Sequence, residues 1–132
     1  MEHKRLLDCS ASDFVCMDKT AMLYAIRGSE GRVLVSETIA ITQPLLNNVT
    51  NAELAASQGA DILLINMFDS EAPLIQGMPA GTAPDQTLHE LQRLTGRIIG
   101  VNLEAVDPEF ASAHDDIWKM KPGRAATAEN AR

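Results

Sequence analysis

Three short apolar runs along the chain alternate with amphipathic segments. The runs begin at Val33, Ile62 and Ile98, and a helix-length segment separates each run from the next. Continuous apolar runs are typical of parallel strands that are covered on both faces, and strand–helix–strand units of this kind have right-handed crossovers. The pattern therefore predicts an α/β fold with about three parallel strands, two crossover helices and a leading helix.

Capping residues mark the starts of the two crossover helices. Thr50 and Glu53 have the spacing of a capping box, in which the side chain of each residue bonds the backbone amide of the other. Thr87 and Glu90 repeat that spacing. The two pairs predict one helix over residues 51–58 and a second helix that begins just after Thr87.

Further capping residues occur towards both ends of the chain. Asp18 predicts the start of the leading helix, which Gly28 ends, and Ser12 is interpreted as the cap of an earlier short helix. Thr127 predicts another cap close to Arg132. Because βα units of this length give the roughly 250 residues of a (β/α)8 barrel when repeated eight times, we expect residues 1–132 to be a single domain that forms the N-terminal part of a larger TIM barrel.

The segment between the second strand and the second crossover helix, residues 67–86, is longer than most connections and contains several prolines and glycines. Loops of this length within compact domains are often lids or binding loops. Its glycine-rich part lacks the lysine and the Ser/Thr of a phosphate-binding P-loop. We therefore interpret the segment as a lid, with Asp69 and Glu71 in supporting roles.

Composition and charge narrow the choice of partners and compartment. The chain has 132 residues, of which 45% are hydrophobic, a formal net charge of -7 and a pI of about 4.8. An acidic surface does not neutralise phosphates, which argues against nucleic acid and anionic membranes and favours a small-molecule partner. No segment has the roughly 18 apolar residues of a membrane span. Since Cys9 and Cys16 lack CxxC spacing and no secretory leader precedes them, we expect free thiols in a cytoplasmic protein.

Polar residues follow the three predicted strands on one phase of the two-residue alternation. These residues are Glu37, Asn66, Asn102 and Glu104. Because barrel enzymes carry their chemistry at the carboxyl ends of the strands, we expect the four side chains to meet at one mouth. The two glutamates are the candidate catalytic acid and base or the ligands of Mg²⁺, and the two asparagines are the candidate substrate-binding residues. The alternative is the ordinary polarity of strand ends in any α/β protein.

The histidines and cysteines are weaker candidates. His3, His89 and His114 share no ligand spacing with one another, with a cysteine or with a strand-end carboxylate. Isolated histidines of this kind are mostly ordinary surface residues. Cys9 and Cys16 have no histidine close in sequence, so a structural thiol is favoured over a nucleophile for both.

Several blocks of the sequence resemble those of a known family. The blocks are KRLLDCSASDF, EGRVLVSET, VTNAELAASQGADILLINMFD, TGRIIGVNLEAVDP and PGRAATAEN, and together they extend from Lys4 to Asn130. Their order is similar to that in the N-terminal half of an uncharacterised bacterial TIM-barrel family, whose members carry labels such as phosphonomutase-like or haloacid-dehalogenase-like hydrolase. The resemblance implies a TIM-barrel fold with further strands after the TAEN segment, and it implies no settled activity.

Two functional hypotheses follow. The first is an enzyme, a barrel lyase, mutase or aldolase-type catalyst that acts with a divalent metal on a small phosphorylated metabolite. The second is a truncated half-barrel without activity, which self-associates through exposed strand edges at Val33–Val35 and Ile98–Val101. The sequence leaves the substrate, the metal, the oligomeric state and any continuation beyond Arg132 open.

Overall fold

Helices and strands alternate along the chain in the computed structural model, which describes residues 4–107, 109 and 120–132. The helices are α1 (Ala11–Val15), α2 (Lys19–Gly28), α3 (Asn51–Ser57) and α4 (Thr87–Thr95), and the strands are β1 (Val35–Ile39), β2 (Ile62–Asn66) and β3 (Ile98–Val101). Short 3-10 turns occupy Leu6–Asp8, Pro84–Gln86 and Pro122–Arg124. His3 and His114 lie outside the described residues. Within these residues, no helix is long and apolar enough to cross a membrane.

The three strands form one parallel sheet in the order β1-β2-β3. Val35 of β1 is paired with Ile62 of β2, and Ile62 is paired with Ile98 of β3. The predicted α/β fold with a parallel sheet and helical crossovers is confirmed. Because each strand lies beside the one that precedes it in sequence, the chain crosses the sheet in a single direction.

The face of the sheet towards α3 and α4 carries the main core. Leu63 and Ile65 of β2 are fully buried there, together with Ala52 of α3 and Leu91 of α4. Each large aliphatic side chain buried in this way contributes roughly 1.5–3 kcal/mol of transfer free energy. Side chains alternate across a strand, so Leu64 and the residues of its phase face the other side of the sheet.

The opposite face of the sheet is covered at its amino end. A second buried cluster from the N-terminal helices, which includes Phe14, packs there against Ile62 and Ile98. On β1 this face is open along the whole strand, since Val35 at its start is 60% exposed and Ile39 at its end is 43% exposed. We call this part the uncovered face, formed by Val35, Glu37, Ile39, Leu64, Asn66 and Gly100.

One of the two predicted capping boxes is confirmed and the other is wrong. Oγ1 of Thr50 accepts a bond from the N–H of Glu53 at 3.0 Å, and Oε2 of Glu53 accepts one from the N–H of Thr50 at 2.9 Å. Thr87 is instead the first residue of α4, because a 3-10 turn runs directly into the helix. Its Oγ1 donates to the carbonyl oxygen of Pro84 at 2.9 Å, and the carboxylate of Glu90 pairs with an arginine on the next turn.

The start of the leading helix agrees with the prediction, whereas the first strand begins two residues later than predicted. Asp18 caps α2 as predicted, accepting a hydrogen bond from a backbone N–H in the first turn. β1 begins at Val35 rather than at Val33, because its pairing with β2 starts there. The residue before it, Leu34, donates its N–H to the side chain of Asp61 at 2.8 Å.

The long segment between β2 and α4 is packed against the body of the protein. Phe68 and Ile75 are buried in the main core, and the N–H of Gln76 donates to the carbonyl oxygen of Ala40 at 2.8 Å. Gly77 has a φ of 86°, and a Cβ there would lie 2.7 Å from a side-chain carbon of a neighbouring proline. The lid interpretation stays a prediction, and any opening of this segment would expose two buried apolar side chains.

The short helix α1 is held in place by Asp13. Its carboxylate accepts hydrogen bonds from the N–H of Ser10 at 2.7 Å and from Oγ of Ser10 at 2.9 Å, and it forms an ion pair with Lys4 at 2.9 Å. The capping residue is therefore Ser10 and not the predicted Ser12, which lies inside the helix. The bond from the Ser10 N–H, followed by those from Lys4 and the Ser10 hydroxyl, lowers the pKa of Asp13 from its usual 3.8 to about 2.

We expect Asp13→Asn to remove part of the acid dependence of stability. Because the pKa of Asp13 is lowered in the folded state, the ionised carboxylate stabilises the fold above about pH 4, and this contribution is lost as the pH falls towards about 2. Urea titrations across this window should show a smaller change in the free energy of unfolding for the variant than for the native protein. Asp85→Asn, at an exposed carboxylate that accepts a bond from the adjacent Gln86, is the control, and an equal effect of both substitutions would contradict the assignment.

Candidate functional site

Two asparagine side chains meet at the carboxyl edge of the sheet. Asn66 ends β2, and Asn102 lies one residue beyond β3, where its N–H donates to the carbonyl oxygen of Ile65 at 3.0 Å. Nδ2 of Asn102 donates to Oδ1 of Asn66 at 3.4 Å. The structure therefore brings the two predicted substrate-binding residues into contact.

This amide pair keeps hydrogen-bonding capacity for a ligand. Oδ1 of Asn66 also accepts a bond from the N–H of Met67 at 2.7 Å, and Met67 has a φ of 57°. A positive φ is uncommon outside glycine and marks a constrained turn. Across the described ranges, Nδ2 of Asn66 and Oδ1 of Asn102 have no protein partner. The pair can therefore both donate to and accept from a small molecule.

Glu104 is paired with an arginine that no sequence pattern indicates. Nη2 of Arg124 lies 3.3 Å from Oε1 of Glu104, and the two side chains are 18% and 31% exposed. The backbones are also joined, since the N–H of Glu104 donates to the carbonyl oxygen of Arg124 at 2.9 Å and the N–H of Ala126 donates to that of Glu104 at 2.7 Å. Glu104 and Ala125 thus form a parallel bridge.

The segment 121–132 reaches Glu104 because it docks on the turn after β2. The carbonyl oxygen of Gly123 accepts hydrogen bonds from both the N–H and the Oγ of Ser70, each at 3.0 Å. A Cβ at position 123 would contact Oδ1 of Asp69 and would lie 2.7 Å from the backbone nitrogen of Glu71. Close backbone approach, rather than a left-handed conformation, is therefore what requires glycine here.

Asn130 fastens the same segment at a second point. Its Nδ2 donates to the carbonyl oxygens of Pro122 at 2.7 Å and Ala125 at 2.9 Å, and its Oδ1 lies 2.9 Å from Oγ of Ser70, whose single proton is shared with the Gly123 carbonyl. The predicted cap at Thr127 is present as one hydrogen bond, in which its Oγ1 accepts from the N–H of Asn130 at 3.1 Å. It closes a turn and not a helix.

Asp69 joins the turn after β2 to the docked segment. It is 9% exposed, and its Oδ1 accepts hydrogen bonds from the N–H groups of Glu71 at 3.1 Å and Ala72 at 3.3 Å. Its Oδ2 lies 3.5 Å from Nζ of Lys121. These contacts give Asp69 a structural part in positioning the segment that carries Arg124.

Glu37 lies apart from the other predicted site residues. It is the exposed middle residue of β1, and its partner in the sheet is Leu64, whereas Asn66 is paired with Ile39. Within the part of the chain that is described, its carboxylate takes part in no hydrogen bond or ion pair. The structure therefore places Glu37 on the same face as Asn66 but two residues short of the carboxyl edge.

The two predicted Mg²⁺ ligands do not share one site. Glu37 is aligned across the sheet with Leu64 and Gly100, so β3 lies roughly 10 Å away across two strand spacings, and Glu104 follows Gly100 by four residues, beyond the end of β3. The ligand oxygens of Mg²⁺ lie about 2.1 Å from the ion, which these two carboxylates do not satisfy together. The residues described contain no group of three or more His, Cys, Asp or Glu that could hold a metal ion. The predicted Mg²⁺ site, in which waters and a substrate phosphate complete the shell, therefore stays a prediction.

Arg124 carries a donor that the described residues leave unsatisfied. Its Nε is buried and has no acceptor among them, while its Nη2 makes only a long contact with Glu104. Burial of a polar group without a partner costs free energy. The Nη groups of the same guanidinium can bind an oxyanion, since arginine binds carboxylate and phosphate through two parallel hydrogen bonds.

The protein is therefore an α/β protein with a parallel sheet, and polar side chains lie at the carboxyl edge of that sheet. The chain belongs to the family described as Domain of unknown function (DUF7916), which matches residues 7–132. Neither a curated protein nor a solved structure matches the chain. The family match includes the segment 121–132, so the docked segment that carries Arg124 is part of the family domain.

We expect Gly123→Ala to loosen the docked segment, because the added Cβ collides with the turn at Asp69. Overpacking of this kind costs roughly 1–3 kcal/mol. Urea denaturation should show that loss, and amide hydrogen exchange should accelerate at Ser70 and Ala126. Gly28→Ala is the matched control, since its Cβ would lie 3.6 Å from the nearest atom. Similar results for the two variants would show that the close approach at Gly123 does not matter.

Proposed function

We propose that the carboxyl edge of the sheet is part of the substrate site of a TIM-barrel enzyme, a lyase, mutase or aldolase-type catalyst that acts on a small phosphorylated metabolite. One observation carries the proposal. The Asn66–Asn102 amide pair lies at the end of the face that α3 and α4 leave open, two residues from Glu104 and its partner Arg124. Amides and a half-buried guanidinium are groups that orient and anchor a phosphorylated ligand.

The single direction of the strand order supports a barrel. α3 and α4 pack in one core on the same face of the sheet, and the Glu104–Ala125 bridge adds a further parallel pairing after β3. Doubly wound folds reverse direction and place their crossover helices on both faces. A barrel continues in one direction with its helices outside, so its interior corresponds to the uncovered face and its chemistry to the carboxyl edge.

In this proposal the residues of the edge have distinct roles. Arg124 binds an anionic oxygen of the substrate, and the free amide groups of Asn66 and Asn102 hydrogen-bond its hydroxyl or carbonyl groups. Glu104, held by Arg124 at 3.3 Å, is the candidate general base. Glu37, the other predicted catalytic carboxylate, lies on the same face two residues before this edge, and its catalytic role stays a prediction.

Inorganic phosphate is a suitable probe for the anion subsite. In ¹H–¹⁵N NMR titrations we expect phosphate to shift the Nε–H signal of Arg124 and the side-chain amide signals of Asn66 and Asn102. Arg124→Gln should weaken the affinity about tenfold or more, because the charge-assisted contact with the anion is lost.

A second arginine provides the control for this titration. Arg32 is exposed and pairs with Glu30, so Arg32→Gln should leave phosphate affinity unchanged. The absence of shifts at the edge, or equal affinities in the two arginine variants, would refute the anion subsite. Adding Mg²⁺ tests the metal prediction, which requires the phosphate affinity to rise and Glu104→Gln to cancel the rise.

Self-association is a second candidate function, and the exposure of β1 favours it. β1 is the edge strand of the sheet, with Val35 and Ile39 exposed on either side of Glu37. Exposed apolar edge strands pair readily with other chains. The edge available for pairing is therefore Val35–Ile39 rather than the predicted Val33–Val35, and β3 has residues of intermediate exposure throughout.

Light scattering over a range of protein concentrations tests this second candidate. Pairing of two copies through β1 should weaken when Val35 and Ile39 are both replaced by threonine. Glu37→Gln should strengthen it, because a twofold axis centred on the strand places the two glutamates opposite each other, and like charges in that position are destabilising. Leu45→Thr, at a residue that is 78% exposed in a loop, is the control. A chain that stays monomeric at all concentrations would rule out this function.

A further inference from the structure

A cavity between α1 and α4 lies at the amino end of the sheet, away from the carboxyl edge. It has a volume of about 400 Å³ and is lined in part by Phe14, Val15, Arg93 and Arg97. An adjoining cavity of about 200 Å³ also has Phe14 in its wall. Cavities of a few hundred Å³ with apolar walls and a few polar groups are typical of small-molecule sites.

The positive charge in this cavity belongs to Arg97. This residue directly precedes β3, and its Nε is buried with no acceptor among the residues that the structure describes. Its neighbour Arg93 is already neutralised, because Nη2 and Nε contact the two carboxylate oxygens of Glu90 at 2.6 Å and 2.8 Å. None of the described residues that line the cavity is acidic. Among the described residues, the cavity therefore offers one guanidinium without a counter-ion.

The remaining walls of the cavity are mainly apolar. Phe14 is buried at 7% exposure, whereas Val15 is 76% exposed and lies at the opening. The adjoining cavity adds Leu88 and Ile98. A ligand that binds here therefore meets a charged group at one point and mainly apolar walls elsewhere, with Ser12, His89 and Gln92 as further polar groups.

We propose that this cavity binds a monoanionic amphipathic ligand, namely a carboxylate that is attached to a hydrocarbon chain. One uncompensated guanidinium matches one negative charge, and the planar carboxylate fits its parallel donors. The apolar walls around Phe14 remove the chain from water at roughly 25 cal/mol per Å² of buried surface. This site lies at the opposite end of the sheet from Arg124, so its test does not depend on the function proposed above.

Octanoate and octan-1-ol are probes with the same chain and different head groups. In isothermal titration calorimetry we expect the native protein to bind one octanoate per chain, about tenfold or more tighter than the alcohol. Arg97→Gln should weaken octanoate about tenfold or more and leave the alcohol unchanged. Because the Nε of Arg97 has no acceptor to lose, the melting temperature of the variant should stay close to that of the native protein.

A second pair of variants tests the site without altering Arg97. Val15→Asp places a carboxylate at the opening of the cavity and should weaken octanoate, whereas Val15→Asn changes the polarity equally and adds no charge. The proposal is overturned if octanoate does not bind, if octan-1-ol binds as tightly, if Arg97→Gln has no effect, or if the two Val15 variants have equal affinities.

Discussion

The pairing of β2 with both of its neighbours, in a single register, is the constraint on which the rest of the structure depends. Leu63 and Ile65 are fully buried in the core beneath α3 and α4. A slip of one residue would turn these two side chains to the other face and bring Leu64 and Asn66 into the core. The burial of apolar side chains on one face of β2 therefore determines which polar side chain lies at the carboxyl end of the opposite face. The position of Asn66 beside Asn102 is a consequence of core packing one and three residues earlier in each strand.

Local sequence patterns predicted those parts of the fold that neighbouring residues decide. The strand phase and the capping box at Thr50 depend on contacts within a few residues, and both are present. The same spacing at Thr87 and Glu90 was misleading, because a 3-10 turn that begins at Pro84 had already satisfied the start of α4. A capping motif specifies a bond that the backbone can form, and the conformation before the helix decides whether it does.

The carboxyl edge required contacts that no local pattern contains. Ser70 and Gly123 are 53 residues apart, and Glu104 and Arg124 are 20 apart. The arginine lies in a short 3-10 turn without helical or strand periodicity, so neither period identifies it. What brings it to Glu104 is the close approach of Gly123 to the turn at Asp69. Strand phase in the sequence thus predicts the two asparagines of the candidate site. The guanidinium is placed by tertiary packing, which the sequence pattern does not show.

Glu37 distinguishes between the two functional interpretations of the sheet. In an open sheet, a charge at the centre of edge strand β1 keeps the exposed Val35 and Ile39 from pairing freely with another chain, and solvent at this exposed position stabilises the carboxylate. In a closed barrel the same face is the interior, where an ionised carboxylate without a partner costs several kcal/mol. The barrel interpretation therefore requires a cation, a hydrogen-bond donor or a bound ligand beside Glu37. The described residues supply none of these groups. The enzyme hypothesis therefore depends most strongly on a partner for the Glu37 carboxylate that lies outside them.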